Sequence, residues 1–397
     1  MFARSTSGHL ADSTGGYLTV SSPPDPTPIA IAFPEAGKAL GYPNTDLNGP
    51  VQAGFAIPQG TLRRGARCST AKAFLQPPGS GQICMWRAVG VQFERFSLQH
   101  VVYARKEVIV SAGSINSPQL LMLSGIGPAR HLQSMGIPVV ADLPVGQNLQ
   151  DHIYPAIPFT VDRKITLVQR RVVTLPNLVS YLALGRGPLT ALGGVEGLGF
   201  IKTKFTNQTD DWPDFQIHML TGSLTSDDGQ TFRRVQGVTK ELYEQVYVPY
   251  QSFDTFSMYP VLLRPKSRGY IKLRSSNPHD PPIINPRYLT HPDDIHAMVD
   301  AMKISILVGL APAYRQYDSQ LFTTIFPGCE IYKLYSDPYL ACAARVYTST
   351  IYHPVGTCRM GAIEDPRTVV DPLLRVKGVK GLRVVDASIM PYIISGE

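Results

Sequence analysis

The stretch EVIVSAGSINSPQLLMLSGIG (107–127) constrains this chain most. EVIVSAG is a short β-branched run that ends in small residues, which reads as a strand feeding a tight turn. SPQLLMLSGIG then reads as a helix, with Ser117 suited to cap it and Pro118 to occupy its first turn. Leu120, Leu121 and Leu123 supply an apolar face, and Gly125 stops the helix. A strand, a small-residue turn and a helix N-terminus form one step of an α/β sheet. The turn's backbone N–H groups can face an anionic or polar ligand, or the unit can simply be a βα connection. The local pattern leaves both open.

A second place of this kind lies near the other end, in GLRVVDASIMP (381–391). Leu382–Val385 reads as a buried strand that ends at Asp386, with Ala387 and Ser388 next. A carboxylate among small residues at a strand's carboxyl end suits a ligand site in an open α/β sheet. Asp386 can equally cap a short helix. Between about 155 and 345 the texture changes: FQIHML, FSMYPVLL and GYIKLRS alternate or run apolar between Pro, Gly and Asn, as antiparallel strands do. HPDDIHAMVDAMKISILVGL (291–310) is acidic at its start and carries Ile295, Met298, Val299, Met302, Ile306 and Leu307 at helical spacing. Residues 29–42 suggest a short helix broken early by Pro34, and STAKAFL (69–75) suggests another. Tyr17–Val20 reads as a strand. The α/β part is therefore split around a β-rich insert.

Composition narrows the classes. Hydrophobic residues make up 44% of the 397 and charged residues 17%, enough for a real core and unlike a disordered chain. The 37 Lys and Arg exceed the 30 Asp and Glu by seven, but the excess is scattered (Arg63, Arg64, Arg67; Arg170, Arg171; Arg233, Arg234), not gathered on one face. That argues against nucleic acid as a partner. No apolar stretch reaches the length of a membrane span, and the N-terminal residues lack the apolar core of a signal peptide. The five cysteines have no CxxC spacing, and no His/Asp/Glu set has ligand spacing, so no metal is expected. Cys329 and Cys342 could pair in an oxidising compartment, though sequence alone does not show it. Asn207-Gln208-Thr209 is a glycosylation sequon. A hydrolase would need a GxSxG elbow or an ordered Ser/Asp/His set, and neither occurs.

TIYHPVGTCRMG (350–361) places His353 on a loop of glycine, proline and threonine. An imidazole there can be a structural hydrogen-bonder. It can also be a base, since an ordinary histidine pKa near 6.5 lets the ring accept a proton around neutrality. His131, His218, His291 and His296 sit in ordinary helix or strand contexts.

Together these motifs resemble the glucose–methanol–choline (GMC) family of flavin oxidoreductases, arthropod glucose dehydrogenase-like members included. GSINSPQLLMLSGIG (113–127) fits the family's second signature at every defined position. DLPVGQNLQDH (142–152), SRGYIKLRSSNPHDPPIINPRYL (267–289), YHPVGTCRMG (352–361) and GLRVVDASIMP follow in the family's order, and DLNGPVQAGF with GARCSTAKAFL resembles its upstream region. The resemblance spans nearly all of 17–396. It implies an α/β (α+β) fold: an FAD-binding Rossmann-like domain at 1–153 and 345–397, and a substrate domain at 154–344 with an antiparallel sheet packed by helices. It implies FAD as cofactor and oxidation of an alcohol or sugar CH–OH to the carbonyl, with hydride passing to flavin N5 and oxygen or a quinone as electron acceptor. It points to His353 as the base, to Ala112, Gly113, Asp386 and Ala387 as cofactor contacts, and to Val355 beside the flavin ring. For His152 it suggests a place near the flavin edge and a hydrogen-bonding role. It suggests secretion.

Departures from the family pattern carry expectations too. No GxGxxG occurs, so the N-terminal βαβ unit is expected to be missing. PPGSGQICMWRAVGVQFER (77–95) is too short for the usual strand pair, and IISGE ends where the family continues into a His or Asn that partners the first histidine. The second reading is therefore an inactive or non-enzymatic member, truncated at both ends, that does not hold FAD.

Overall fold

The structure, a computed structural model, describes residues 20–49, 51–63, 66–67 and 86–395, which form two compact units. One gathers the described residues up to Arg67 with Ile153–Arg264 and Pro292–Thr350. The other gathers Trp86–His152 with Pro265–His291 and the described residues from Ile351 onward.

The first unit is built on a six-stranded sheet in the order Gly54–Ala56, Val195–Ile201, Phe215–Leu220, Asp254–Leu262, Ile157–Val161, Gln320–Leu321. Every pairing in it is antiparallel. Asp254–Leu262 is buried along its whole length because it is central, with neighbours on both edges. Phe159 and Phe256 stack at 4.8 Å between ring centroids, and Tyr314 stacks on Phe256 at 5.0 Å. Each such ring, fully buried, contributes about 1.5–3 kcal/mol of hydrophobic stabilisation. The helix Pro292–Gly309 buries Ile295, Met298 and Met302. Leu307, expected on that apolar face, is 56% exposed, because the 3.6-residue period carries Val308 to the core instead.

The helix Pro28–Ala39 runs through Pro34 without a break, contrary to expectation. Thr27 caps it, and Ile29, Ala30, Phe33, Ala36 and Gly37 are buried, with Phe33 against Phe55 at 4.9 Å. That packing offsets the backbone hydrogen bond that an internal proline forfeits. Cys329 and Cys342 form a disulfide, with Cα atoms 5.8 Å apart.

The second unit holds the two features that framed the sequence reading. Val108–Val110 pairs in parallel with Leu382–Val384, Leu382 opposite Val108 and Val384 opposite Val110. A chain interval of more than two hundred residues thus closes into one βα step. A second sheet runs Ile283–Asn285, Gly269–Lys272, Gln147–Leu149. Leu121, Met122, Val145, Ile271, Val370, Val384 and Cys358 fill the core between these parts. GYIKLRS therefore belongs to this unit and not to the β-rich one, because Gly269 and Tyr270 pair with Leu149 and Gln147. The segment 77–95, read as too short for a strand pair of its own, contributes Gly90–Arg95 to a hairpin with Leu98–Tyr103. The helix suggested at 69–75 and most of the strand suggested at 17–20 lie outside the described residues.

Candidate active site

The helix Gly113–Leu123 starts four residues before the expected Ser117, with Ala112 as its N-cap. Gly113 has φ +81°, and a Cβ built there would meet nothing within 4 Å. Ser117 lies inside the first turns and ties them down, accepting the Ala112 N–H at 3.0 Å. It donates its own hydroxyl to Asp386 Oδ2 at 2.5 Å. The same carboxylate oxygen accepts the Gly113 N–H at 3.0 Å. Asp386 Oδ1 accepts the Ser388 N–H at 2.9 Å, capping the 3₁₀ turn Ala387–Ile389. The capping reading of Asp386 is thus met, and the same side chain clamps Ala112–Gly113 to Asp386–Ala387.

Pro118 explains how the loop at 350–361 attaches. Lacking an N–H, it cannot serve the carbonyl four residues back, which belongs to Ser114. Thr357 Oγ1 donates to that carbonyl instead, at 2.7 Å. The loop is then fixed from its other neighbours. Gly356 N–H donates to Ala387 O at 3.3 Å, Cys358 N–H to Ser388 O at 2.8 Å and Met360 N–H to Ile389 O at 2.7 Å. Gln150 and Val355 exchange main-chain hydrogen bonds at 3.1 and 2.9 Å. Asn148 Nδ2 donates to Gly356 O at 3.2 Å, and Gln150 Nε2 to Pro391 O at 3.1 Å. Gly356 itself has φ +89°, and a Cβ there would lie 2.7 Å from Asn148 O, so only glycine fits.

This framework sets His353. Its main-chain N–H donates to Asp151 Oδ1 at 3.0 Å, while the Tyr288 hydroxyl donates to Asp151 Oδ2 at 2.5 Å. Its ring meets the ring of His152, Nδ1 to Nδ1, at 3.1 Å and an interplanar angle of 73°. His152 is 2% exposed, whereas His353 is half-buried. Val355 is buried beside them, and Cys358 is fully buried, its thiol pushed up to about 12 by loss of solvent. A thiol so held is inert and is not a nucleophile.

The structure therefore brings the residues chosen from sequence into one connected array. The turns at Ala112–Gly113 and Asp386–Ala387 are joined through the Asp386 carboxylate, and Val355 and His353 stand on the loop bonded to both. Sequence reasoning missed Asp151, Tyr288, Ser117 and Thr357 in these roles. It also did not foresee that His152 would stand against the His353 ring. NLQDH and YHPVG were both visible as motifs, but nothing local says that side chains 201 residues apart will touch.

The N- and C-terminal sequence patterns of GMC oxidoreductases match residues 1–154 and 265–397. The chain is 34% identical to the glucose dehydrogenase [FAD, quinone] of Drosophila pseudoobscura pseudoobscura, with 96% of this chain and 61% of that protein covered. It is 36% identical to the alcohol dehydrogenase [acceptor] of Pseudomonas putida, covering 96% of this chain and 68% of the relative. Among solved structures, a formate oxidase of Aspergillus oryzae superposes with a TM-score of 0.78 at 25% identity, over 97% of this chain and 70% of the other. A pyridoxine 4-oxidase from Mesorbium loti gives a TM-score of 0.74 at 24% identity, over 97% and 69%, and supports the mixed α/β fold alone. The chain belongs to the GMC oxidoreductase family. It spans about three fifths of the length of the glucose dehydrogenases it matches.

Proposed function

We propose that this chain serves FAD-dependent oxidation of a CH–OH group, in an alcohol or a sugar, to the carbonyl, with His353 as the base. The observation that carries the reading is the bonding of the His353 loop to both small-residue turns, through Thr357 to Ser114 and Gly356 to Ala387. The residues present fit such a cofactor on the side these turns would form. Gly113 opens onto space that a side chain would intrude upon. Beside it, the hydroxyls of Ser114 and Ser388 are buried with no hydrogen-bond partner among the described residues.

In this reading Ala112, Gly113, Asp386 and Ala387 hold the cofactor, and Val355 walls the ring. When bound, FAD supplies a two-electron hydride acceptor at flavin N5. His353 takes the hydroxyl proton as the C–H bond gives up its electron pair, so carbon loses two electrons and the O–H proton rests on imidazole nitrogen. A neutral ring is required, because an imidazolium has no lone pair to offer. Asp151 and Tyr288 hold the loop so that the ring arrives oriented, which is where positioning lowers a barrier.

The first unit is the substrate domain in this proposal. Its sheet face encloses a cavity of about 420 Å³, walled by Leu167, Val172 and Leu220 and edged by Thr221, Gln236 and Tyr259. Apolar walls with a few polar groups suit a small organic substrate. Oxygen or a quinone takes the electrons onward. Secretion is supported by the Cys329–Cys342 disulfide and by the exposed sequon asparagine, Asn207. Among the described residues no helix is long and apolar enough to cross a membrane.

The test is FAD titration of the full chain, followed by turnover of an alcohol panel with a quinone acceptor, for the native chain and His353→Ala. Bound FAD with turnover that collapses in His353→Ala supports the reading. A chain that takes up no FAD defeats it and supports the second reading, a family member without catalysis.

A further inference from the structure

We infer that His152 is a positioning residue: it accepts a hydrogen bond from His353 Nδ1–H, fixing His353 in the tautomer whose lone pair lies on Nε2. The inference rests on the proposed role of His353 as base, and it names the group that decides which ring nitrogen can act.

Two Nδ1 atoms 3.1 Å apart cannot both carry a proton, and cannot both be bare without losing the contact. One donates and the other accepts. If His152 donated, neutral His353 would carry its hydrogen on Nε2 and its lone pair would be spent on the contact. If His353 donates, the lone pair is on Nε2 and the ring is a base at the nitrogen remote from His152. Burial separates the two cases. His152 is 2% exposed, and charging a buried ring costs more than charging a half-buried one. The proton gained in the reaction therefore resides on His353, and a doubly protonated His353 can only donate through Nδ1. With His353 already the donor, proton uptake requires no exchange of tautomers. The carboxyl group of Asp151, 7% exposed, accepts the His353 main-chain N–H and the Tyr288 hydroxyl, which anchors the backbone of the residue whose ring takes up the proton. Tyr288, which donates to that carboxyl group, and His152, against the ring, are titratable groups in the same hydrogen-bonded set.

The chemistry resembles that of a carboxylate behind a catalytic imidazole, with a neutral acceptor in its place. A neutral acceptor orients the ring while raising its basicity less than a carboxylate would.

The experiment is nitrogen NMR of the full chain labelled with ¹⁵N-histidine, assigned by single-histidine substitution and read above the histidine titration. The expected spectrum has His353 protonated at Nδ1 and bare at Nε2, and His152 bare at Nδ1. In His152→Phe the His353 signals move to the mixture of tautomers of an unrestrained imidazole. In His152→Gln, whose amide oxygen can accept, the native tautomer returns. In the FAD-loaded enzyme His152→Phe lowers kcat by about a hundredfold with little change in KM, as loss of ring orientation would, and His152→Gln recovers most of it. Finding His353 protonated at Nε2 in the native chain overturns the inference. So does a tautomer unchanged in His152→Phe. Because the spectrum needs no turnover, a locked tautomer in a chain without alcohol oxidation would sink the functional reading and leave this one standing.

Discussion

Gly356→Ala tests the site's construction more sharply than removal of any catalytic group. The backbone there has φ +89°, which costs an L-residue about 1–2 kcal/mol. The new Cβ would also lie 2.7 Å from both Asn148 O and Asn148 Nδ2, and 3.1 Å from Gln150 Nε2. Relieving that overlap means moving either the strand Gln147–Leu149, held in a sheet by Gly269–Lys272, or the His353 loop. Forced repacking of this kind typically costs about 1–3 kcal/mol more. The expected loss is about 3 kcal/mol, seen as a lower urea midpoint in the transition of the unit that carries the loop. Gly378→Ala is the control. It has a similar φ of +74°, but a Cβ there meets nothing within 4 Å, so only the backbone cost of about 1–2 kcal/mol applies. The difference between the two variants isolates the steric contact. Equal losses for the pair would refute the argument that Asn148 presses on Gly356.

Three further outcomes follow from the same contacts. Thr357→Val should cost about 1–3 kcal/mol, because it strands the Ser114 carbonyl that Pro118 cannot serve; Pro118→Ala, which restores an N–H, should recover part of that loss in the double variant, as a double-mutant cycle by urea unfolding would show. His131 Nε2 accepts the Leu273 N–H at 3.0 Å, and burial, then Lys272, holds its pKa below the usual histidine value. The folded state therefore binds the proton less readily than the unfolded chain, and this contribution is present above the ordinary pKa near 6.5 and is lost as pH falls through the lower folded value; thermal unfolding between pH 7 and 5 should show a loss that His131→Gln reduces. Removing the disulfide in a Cys329→Ser, Cys342→Ser variant opens a loop whose ends are 13 residues apart, for a cost of about 3 kcal/mol in thermal unfolding without reductant.

What the sequence revealed depended on how local each signal was. The strand at 108–110, the stop at Gly125 and the helix from 292 follow from neighbours in sequence, and all three stand in the structure. Pro34 misled because the burial of Phe33 against Phe55 outweighs one missing hydrogen bond, and nothing near Pro34 announces Phe55. Ser117 misled differently. It is a good cap by type, yet it spends its hydroxyl on Asp386, and the helix begins at Gly113 because that carboxylate takes the Gly113 N–H. The boundary of the β-rich part was set by texture, and Gly269–Lys272 has the texture of either sheet. Only its pairing with Gln147–Leu149 decides its unit. For the site, the motifs named His353, Asp386 and the small residues. The contacts that orient His353 join segments that no periodicity connects.

Those separations have a consequence for how the site comes into being. His152 meets His353 across 201 residues, Ser114 meets Thr357 across 243, and Gly113 meets Asp386 across 273. Closing loops of that size is entropically expensive and contributes nothing until the far end arrives. On a ribosome adding about 5–20 residues per second, Gly113 waits roughly 14–55 seconds for Asp386 to be made. Through that interval the edge later covered by Leu382–Val384 stands open, with Ile109 and its neighbours as a bare template for another strand. The nascent chain is thus most vulnerable in the same interval in which it cannot yet have a site, and agents that shield exposed strands during synthesis would raise the yield of this protein more than any that act after release.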